Sequence, residues 1–318
     1  MQFLYILPEL KKIQCFKMHR FLFIILLFTV FSCSTKKVDM KPNTNNKNKS
    51  SQTITTDSSS GGMLSKYDLE NEDPFFVKIP DELKEISGIT FTDDDRLFAH
   101  GDEDGDIFQL NPETGEIIKR FSLGSMLVVN GDFEDIAYVN DKYYLLESKG
   151  KLYEFKEGTN GSFIDYKTYK TFLNSSNDVE GLCFDSGTNS LLLACKGSPG
   201  EGYDKQKAVY SFSLSTMTLN ETPRFLIDLK SIKKNTTENE FSPSGIARHP
   251  ISGSFFIIAA KGNTIIELSK DGTLLTQKDL SEKVHKQAEG IAFMKDGTLY
   301  ISNEGKNKTA RLVKYDMK

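Results

Sequence analysis

The sequence predicts an all-β fold, a five-bladed β-propeller closed by an N-terminal strand. A short pattern typical of a half-buried strand occurs five times, and its copies begin at Ile86, Phe133, Val179, Pro243 and Ala288. Each copy is followed by further strand-like segments separated by Gly-containing turns, and no segment of this region has a helical period. Several copies of one strand unit indicate a repeat architecture.

The repeated pattern identifies the innermost strand of each blade. Every copy carries Ser or Glu at its second position, then Gly or Asp, then Ile or Leu, a small residue, and usually an aromatic residue. Arg248 is the exception at the aromatic position. Because side chains alternate between the two faces of a strand, one face is bulky and the other small. Such strands suit sheets that stack face to face around a ring.

The remaining strands of each blade follow in order. Second strands are predicted at residues 96–99, 143–146, 191–194, 255–258 and 299–302. Third strands are predicted at residues 107–110, 152–155, 209–212, 265–268 and 312–315. Fourth strands are looser, at residues 116–123, 165–172, 224–229 and about 274–280.

The fifth copy has no fourth strand of its own, and Phe75–Ile79 has no blade of its own. If this segment joins the last blade, the ring hides both open edges, which would otherwise favour aggregation. The third and fourth copies are 64 residues apart against 45–47 elsewhere, so six blades are the alternative. We favour one blade with long loops, because residues 196–207 and 233–241 are polar and lack a strand pattern.

The N-terminal region predicts export and anchoring. Phe21–Phe31 is an apolar run of 11 residues, too short for the roughly 20 that span a bilayer but typical of a secretory signal. The run ends in Val30-Phe31-Ser32-Cys33, which resembles the lipobox of bacterial lipoproteins and implies lipidation of Cys33. A plain signal peptide, or a start at Met18, is the alternative.

Three parts of the chain are therefore predicted. Residues 1–33 form a signal segment, residues 34–72 a flexible polar tether, and residues 73–318 the propeller. The expected location is the bacterial cell envelope, where the protein is a membrane-anchored lipoprotein in the inner or the outer membrane.

Charge argues against nucleic-acid binding, and the placement of the cysteines argues against a disulfide. Without residues 1–32 the chain has 36 basic and 43 acidic residues, a net charge of −7, so nucleic acid is not an expected partner. Cys183 should lie opposite Leu192, which puts Cys195 on the other face of the sheet. Two buried free thiols are therefore predicted rather than a disulfide.

The second position of the repeat predicts a metal site. Ser87, Glu134, Glu180, Ser244 and Glu289 occupy equivalent positions, and fivefold pseudo-symmetry brings them together around the axis. Three converging carboxylates repel one another unless they are protonated or neutralised by a cation. An all-oxygen set without His or Cys favours Ca²⁺, which accepts irregular geometry. The alternative is that these side chains only cap backbone N–H groups through water.

The loops between second and third strands should open at the same end of the ring. Mixed charges there are candidates for catalysis or for holding a small anionic ligand, and they are Asp102, Asp104, Lys149, Lys196, Lys261 and Glu304. The alternative is that they are solvated turn residues.

The repeated blocks resemble those of the SdiA-regulated family of bacterial envelope β-propellers, over about residues 73–318. The order Ser, Glu, Glu, Ser, Glu is also similar to the calcium-activated nucleotidases (apyrases), whose inner-strand Ser and Glu residues hold a central calcium. Two function classes follow. One is a calcium-binding module or scaffold that contacts a small anionic ligand or an envelope protein, and the other is a calcium-dependent phosphohydrolase.

Overall fold

The fold is built from β-strands arranged as a five-bladed propeller, in a computed structural model that describes residues 62–232, 241–305 and 308–318. The described residues form 22 strands in five sheets, with two short 3-10 helices, Met63–Lys66 and Asp81–Leu83. No helix among them is long and apolar enough to cross a membrane.

The first two blades follow one another in the chain. Blade 1 contains β2 (Ile86–Phe91), β3 (Leu97–Gly101), β4 (Asp106–Leu110), β5 (Ile117–Leu123) and, paired in parallel with β5, β9 (Phe163–Ile164). Blade 2 contains β6 (Phe133–Val139), β7 (Lys142–Glu147), β8 (Lys151–Phe155) and β10 (Tyr166–Tyr169).

The other three blades complete the ring. Blade 3 contains β11 (Val179–Asp185), β12 (Ser190–Cys195), β13 (Gln206–Ser213), β14 (Thr218–Leu219) and β15 (Phe225–Asp228). Blade 4 contains β16 (Gly245–Arg248), β17 (Phe255–Ala259), β18 (Thr264–Leu268) and β19 (Leu274–Asp279). Blade 5 contains β20 (Ala288–Phe293), β21 (Leu299–Asn303), β22 (Arg311–Tyr315) and β1 (Phe76–Lys78).

The 64-residue interval holds one blade and not two. Both β14 and β15 pair with the same strand, β13, one beyond the other along its length. The prediction of five blades is therefore confirmed and the six-blade alternative is wrong.

The innermost strands β2, β6, β11, β16 and β20 contact one another in circular order. Four of them carry Gly at the third position of the repeat. A Cβ at Gly245 would lie 2.6 Å from the Glu289 carbonyl oxygen, and one at Gly290 would lie 2.8 Å from the Ser87 carbonyl oxygen. At these two glycines the neighbouring inner strand approaches too closely for a side chain. In blade 2 the position holds Asp135, whose carboxylate accepts hydrogen bonds from the N–H groups of Ile136 (2.8 Å) and Leu182 (2.6 Å).

The bulky and small positions of the repeat interdigitate between blades, as predicted. Leu182 of blade 3 lies in one buried cluster with Ala137 of blade 2, and Ile291 of blade 5 in another with Ala247 of blade 4. Burial of such apolar surface is the main favourable term in folding. The core therefore lies between the blades.

The N-terminal strand closes the ring as predicted. Phe76 pairs with Val313 and Lys78 with Arg311 in antiparallel register. The amide of Ile79 donates to the Ala310 carbonyl at 2.9 Å, which extends the ladder. Each edge of the last blade's third strand is thus paired.

The boundary drawn at residue 73 is too late. Leu64, Tyr67 and Leu69, which the sequence assigned to the tether, are 0–1% exposed and pack against blades 4 and 5. The Tyr67 hydroxyl donates to the Gly297 carbonyl at 2.6 Å and lies 2.9 Å from Nε2 of His249. Three apolar residues within a polar stretch have no strand or helix period, so the sequence pattern did not reveal them. The signal segment, Cys33 and tether residues 34–61 lie outside the described residues.

The two thiols of the propeller are free and buried, as predicted. Cys183 pairs with Leu192 and Cys195 with Val179 across the same strand pair. The two side chains belong to different core clusters, on opposite faces of blade 3.

Candidate metal centre

A break in strand register places the acidic residues of the repeat. The pairing of β6 with β7 skips from Phe133 to Asp135, and that of β11 with β12 skips from Val179 to Gly181. Glu134 and Glu180 are therefore the unpaired residues of two β-bulges, a feature that redirects a side chain.

Three carboxylates meet at these bulges. Oxygen atoms of Glu134, Asp178 and Glu180 all lie within 4.8 Å of one another. Glu180 is buried, and the other two are half-buried. Asp178 immediately precedes β11 and has a φ of 47°, in the left-handed region that Asp tolerates better than most residues. It lies outside the repeated pattern, and the sequence analysis missed it.

Burial and the neighbouring carboxylates raise the pKa of both glutamates. The pKa of Glu134 is raised to about 9, first by burial and then by the neighbouring charges of Glu180 and Asp132. The pKa of Glu180 is raised to about 7 by burial, although the nearby Lys196 ammonium lowers it. A cation bound between the ionised carboxylates would remove the repulsion between their charges.

Lys196 supplies the counter-charge. Its ammonium forms an ion pair and a hydrogen bond with Glu180, and its amide donates to the Asp178 carbonyl at 2.7 Å. The sequence placed Lys196 among the rim candidates. The structure puts it beside the carboxylate cluster instead, as the residue that neutralises Glu180.

The other predicted metal ligands are placed differently. The Ser244 hydroxyl is buried; it donates to the Ala288 carbonyl at 2.7 Å and accepts from the Ala260 amide at 3.1 Å, which links blades 4 and 5. Ser87 is half-buried. Glu289 is also half-buried and interacts electrostatically with Lys196, but it is not part of the three-carboxylate cluster.

The loops between second and third strands open at the carboxylate end, as predicted. The Phe133 amide donates to the Asp102 carbonyl at 2.7 Å, and the Glu304 amide to the Gln287 carbonyl at 3.1 Å. Burial raises the pKa of Asp102, and the charges of Glu85 and Glu103 add to the effect.

The remaining rim candidates are dispersed. Asp104 accepts a hydrogen bond from the Asp106 amide at 3.0 Å, an ordinary turn contact. Lys149 and Lys261 are exposed on different blades, and Glu304 accepts a hydrogen bond from Gln287. The structure does not bring them together into one constellation.

One comparison with known proteins shows the family. The SdiA-regulated family model matches residues 63–305, a range that starts where the buried residues Leu64–Leu69 begin. No curated protein matches the chain. Among solved structures, glutaminyl cyclase from Myxococcus xanthus is similar at 13% identity, with 76% of this chain and 94% of that chain covered and a TM-score of 0.49.

Two further solved structures give the same extent of similarity. A protein titled glucose dehydrogenase has 11% identity, covers 77% of this chain and 100% of that chain, and has a TM-score of 0.49. A luciferin-regenerating enzyme has 10% identity, covers 76% and 95%, and has a TM-score of 0.48. At these values the similarity carries no conclusion about activity.

Proposed function

The chain belongs to the SdiA-regulated family, and on that premise we propose that it is a calcium-binding β-propeller that serves as a binding or scaffold module at the bacterial envelope. The observation that carries the calcium proposal is the meeting of Glu134, Asp178 and Glu180 within 4.8 Å at the inner end of two neighbouring blades. Anchoring through Cys33 is the part of the proposal that rests on sequence alone.

The chemistry of the cluster favours a hard divalent cation. All three side chains offer oxygen, and the described residues within 4.8 Å include no His or Cys. Ca²⁺ accepts 6–8 oxygen ligands in irregular geometry, whereas Mg²⁺ demands a near-ideal octahedron. The three carboxylates come from two strand bulges and from the residue before a strand, and Ca²⁺ accepts such an irregular set more readily than Mg²⁺.

Lys196 makes the site a competition between two cations. Its ammonium neutralises Glu180 in the structure, so calcium must displace it. Either the Lys196 ammonium or calcium supplies positive charge to the cluster, and this charge allows three carboxylates to lie close together. A released Lys196 would remain at the mouth of the ring, where an anionic group could bind it.

The test is calorimetric titration of the purified full chain with CaCl₂ and, separately, MgCl₂ at pH 7.5. We expect binding of one calcium, weaker binding of magnesium, and at least a tenfold loss of calcium affinity in Glu180→Gln and in Asp178→Asn. Glu103→Gln is the matched control, because Glu103 is exposed on a neighbouring loop. Equal affinities in all four proteins, or no calcium binding to the wild type, would contradict the proposal.

The alternative function is a calcium-dependent phosphohydrolase, and the position of Lys196 is the observation in its favour. A lysine beside a metal cluster can hold a phosphate that the metal polarises. This function requires calcium to switch on phosphate release from nucleoside di- or triphosphates. Asp102→Asn or Lys261→Ala should then reduce the release without unfolding the domain. No release above the calcium-free rate would leave the binding module as the function.

A further inference from the structure

The end of the ring opposite the carboxylate cluster carries a cavity. It has a volume of about 310 Å³ and is lined by residues of all five inner strands, so it lies on the propeller axis. Glu180 and Phe184 are four residues apart on β11, which places the two ends about 13 Å from each other. Cavities of this size are typical of small-molecule sites.

One position of the repeat contributes a residue from every blade to the lining of this cavity. Four blades place an aromatic ring there and the fifth places an arginine; these residues are Phe91, Tyr138, Phe184, Phe293 and Arg248. All five side chains are half-buried. We call these five residues and the cavity that they line the aromatic cup.

Arg248 is held in place without being saturated. Its Nε lies 3.2 Å from Oδ1 of Asp185, and the side chain is 22% exposed. Asp185 is itself fixed, since it accepts hydrogen bonds from the Gly187 amide at 3.0 Å and the Thr188 hydroxyl at 2.7 Å. The Nε atom is buried without a properly aligned hydrogen bond, and no hydrogen bond within the described residues uses the guanidinium. A guanidinium has five donors, so donors other than Nε can pair with an anionic group.

Ring faces alone would favour a cation in such a cup. Arg248 changes that preference, because it already adds a positive charge to the wall and because its planar fork matches a carboxylate. The lining also includes Asp93, Asp95 and Lys295, and the Lys295 amide donates to Asp95 at 3.0 Å. Asp185 lies behind the guanidinium and orients it.

We propose that the aromatic cup binds a small aromatic carboxylate, whose ring packs against the four aromatic side chains and whose carboxylate pairs with Arg248. Arg248 is the exception to the aromatic position of the repeat, and it is the only cationic residue among the five equivalent ones. The site is independent of the proposed calcium centre, and a failure of either one leaves the other standing.

The first test compares three ligands on the wild-type full chain and needs no variant. Naphthalene-2-carboxylate, naphthalene-2-methanol and naphthalene-2-methylamine share a ring system and differ in charge. By calorimetry the carboxylate should bind at least tenfold more tightly than the neutral alcohol, and the amine should bind most weakly. Tighter binding of the amine would show that the cup is a cation site, and equal binding of all three, or none at 1 mM, would equally overturn the proposal.

The second test assigns the preference to one residue. Arg248→Gln should abolish the advantage of the carboxylate over the alcohol, while binding of the alcohol is retained. Retained alcohol binding also shows that the variant is folded. Arg224→Gln is the matched control, because Arg224 also lies beside a ring, that of Phe225 at 5.0 Å, but is not part of the cup. An unchanged carboxylate advantage in Arg248→Gln would refute the role of the guanidinium. Calcium should alter none of these affinities by more than twofold.

Discussion

Replacement of Glu134 by Gln tests the electrostatics of the carboxylate cluster most directly. The folded-state pKa of Glu134 is about 9, against 4.5 for the ordinary side chain. Because the pKa of Glu134 is higher in the folded than in the unfolded chain, the protonated carboxyl makes its full contribution to the free energy of unfolding below pH 4.5. This contribution is lost as the pH rises toward 9. At pH 7.5 the unfolded carboxyl is ionised and the folded one is not.

The magnitude follows from three pH units at about 1.4 kcal/mol each, so ionisation of the unfolded chain lowers the free energy of unfolding by at most about 4 kcal/mol at pH 7.5. Gln does not ionise. Metal-free Glu134→Gln should therefore be more stable than wild type at pH 7.5, and the melting temperature should rise by roughly 2–4 °C per kcal/mol gained. Near pH 4.5 the difference should vanish.

Calcium should narrow this difference in stability. Saturation at 100 times the dissociation constant stabilises wild type by about 2.7 kcal/mol, and the variant has lost one of three carboxylates. The assay is thermal unfolding followed by circular dichroism at pH 5 and 7.5, with EGTA or with CaCl₂, and with exposed Glu103→Gln as control. A variant that melts below wild type in EGTA at pH 7.5 would refute the reasoning. A difference in melting temperature between variant and wild type that is the same at pH 5 and at pH 7.5 would refute it as well.

Four further predictions concern other parts of the chain. Lys196→Met should tighten calcium binding at least threefold in calorimetry, because it removes the competing ammonium; weaker binding would show that Lys196 supports the site. Tyr67→Phe should cost about 1–3 kcal/mol in denaturant unfolding, because it leaves a buried carbonyl at Gly297 without its donor, and a change below 0.5 kcal/mol would contradict the role of this segment in the core. Deletion of residues 73–80 should open the ring and cause aggregation by light scattering, whereas deletion of residues 40–50 should not. Cys33→Ser should move the protein from the membrane pellet to the soluble envelope fraction, and retention in the pellet would point to an uncleaved signal segment.

The sequence predicted the ring because its signal is repeated. One residue pattern at five places identifies the inner strands, and Gly at the close approaches, such as Gly245, follows from the same geometry. The closing strand and the free thiols were predicted from the count of strands and from the period of two. These features follow from patterns along the chain and do not require knowledge of which side chains meet in space.

The site was predicted only in part because its members obey different rules. Glu134 and Glu180 belong to the repeat, whereas Asp178 precedes it. The position of Asp178 depends on a left-handed backbone conformation that no residue pattern predicted. Ser244 has the right position in the repeat, but its hydroxyl makes hydrogen bonds to backbone groups of its own blade and the next. A position in a pattern locates a Cα atom, and the hydrogen-bond partners decide what the side chain does there.

The closure of the last blade by Phe76–Lys78 has a consequence for biosynthesis. The partner strand Arg311–Tyr315 is made more than 230 residues later, which at 5–20 residues per second takes roughly 10–50 s. Once the ends meet, closing so long a loop costs little more than closing a short one, since each doubling adds only about 0.6 kcal/mol. The delay is therefore one of timing and not of thermodynamics. Until Arg311–Tyr315 is synthesised, β1 has no partner strand, and blade 1 lacks a blade 5 that is complete on its outer side.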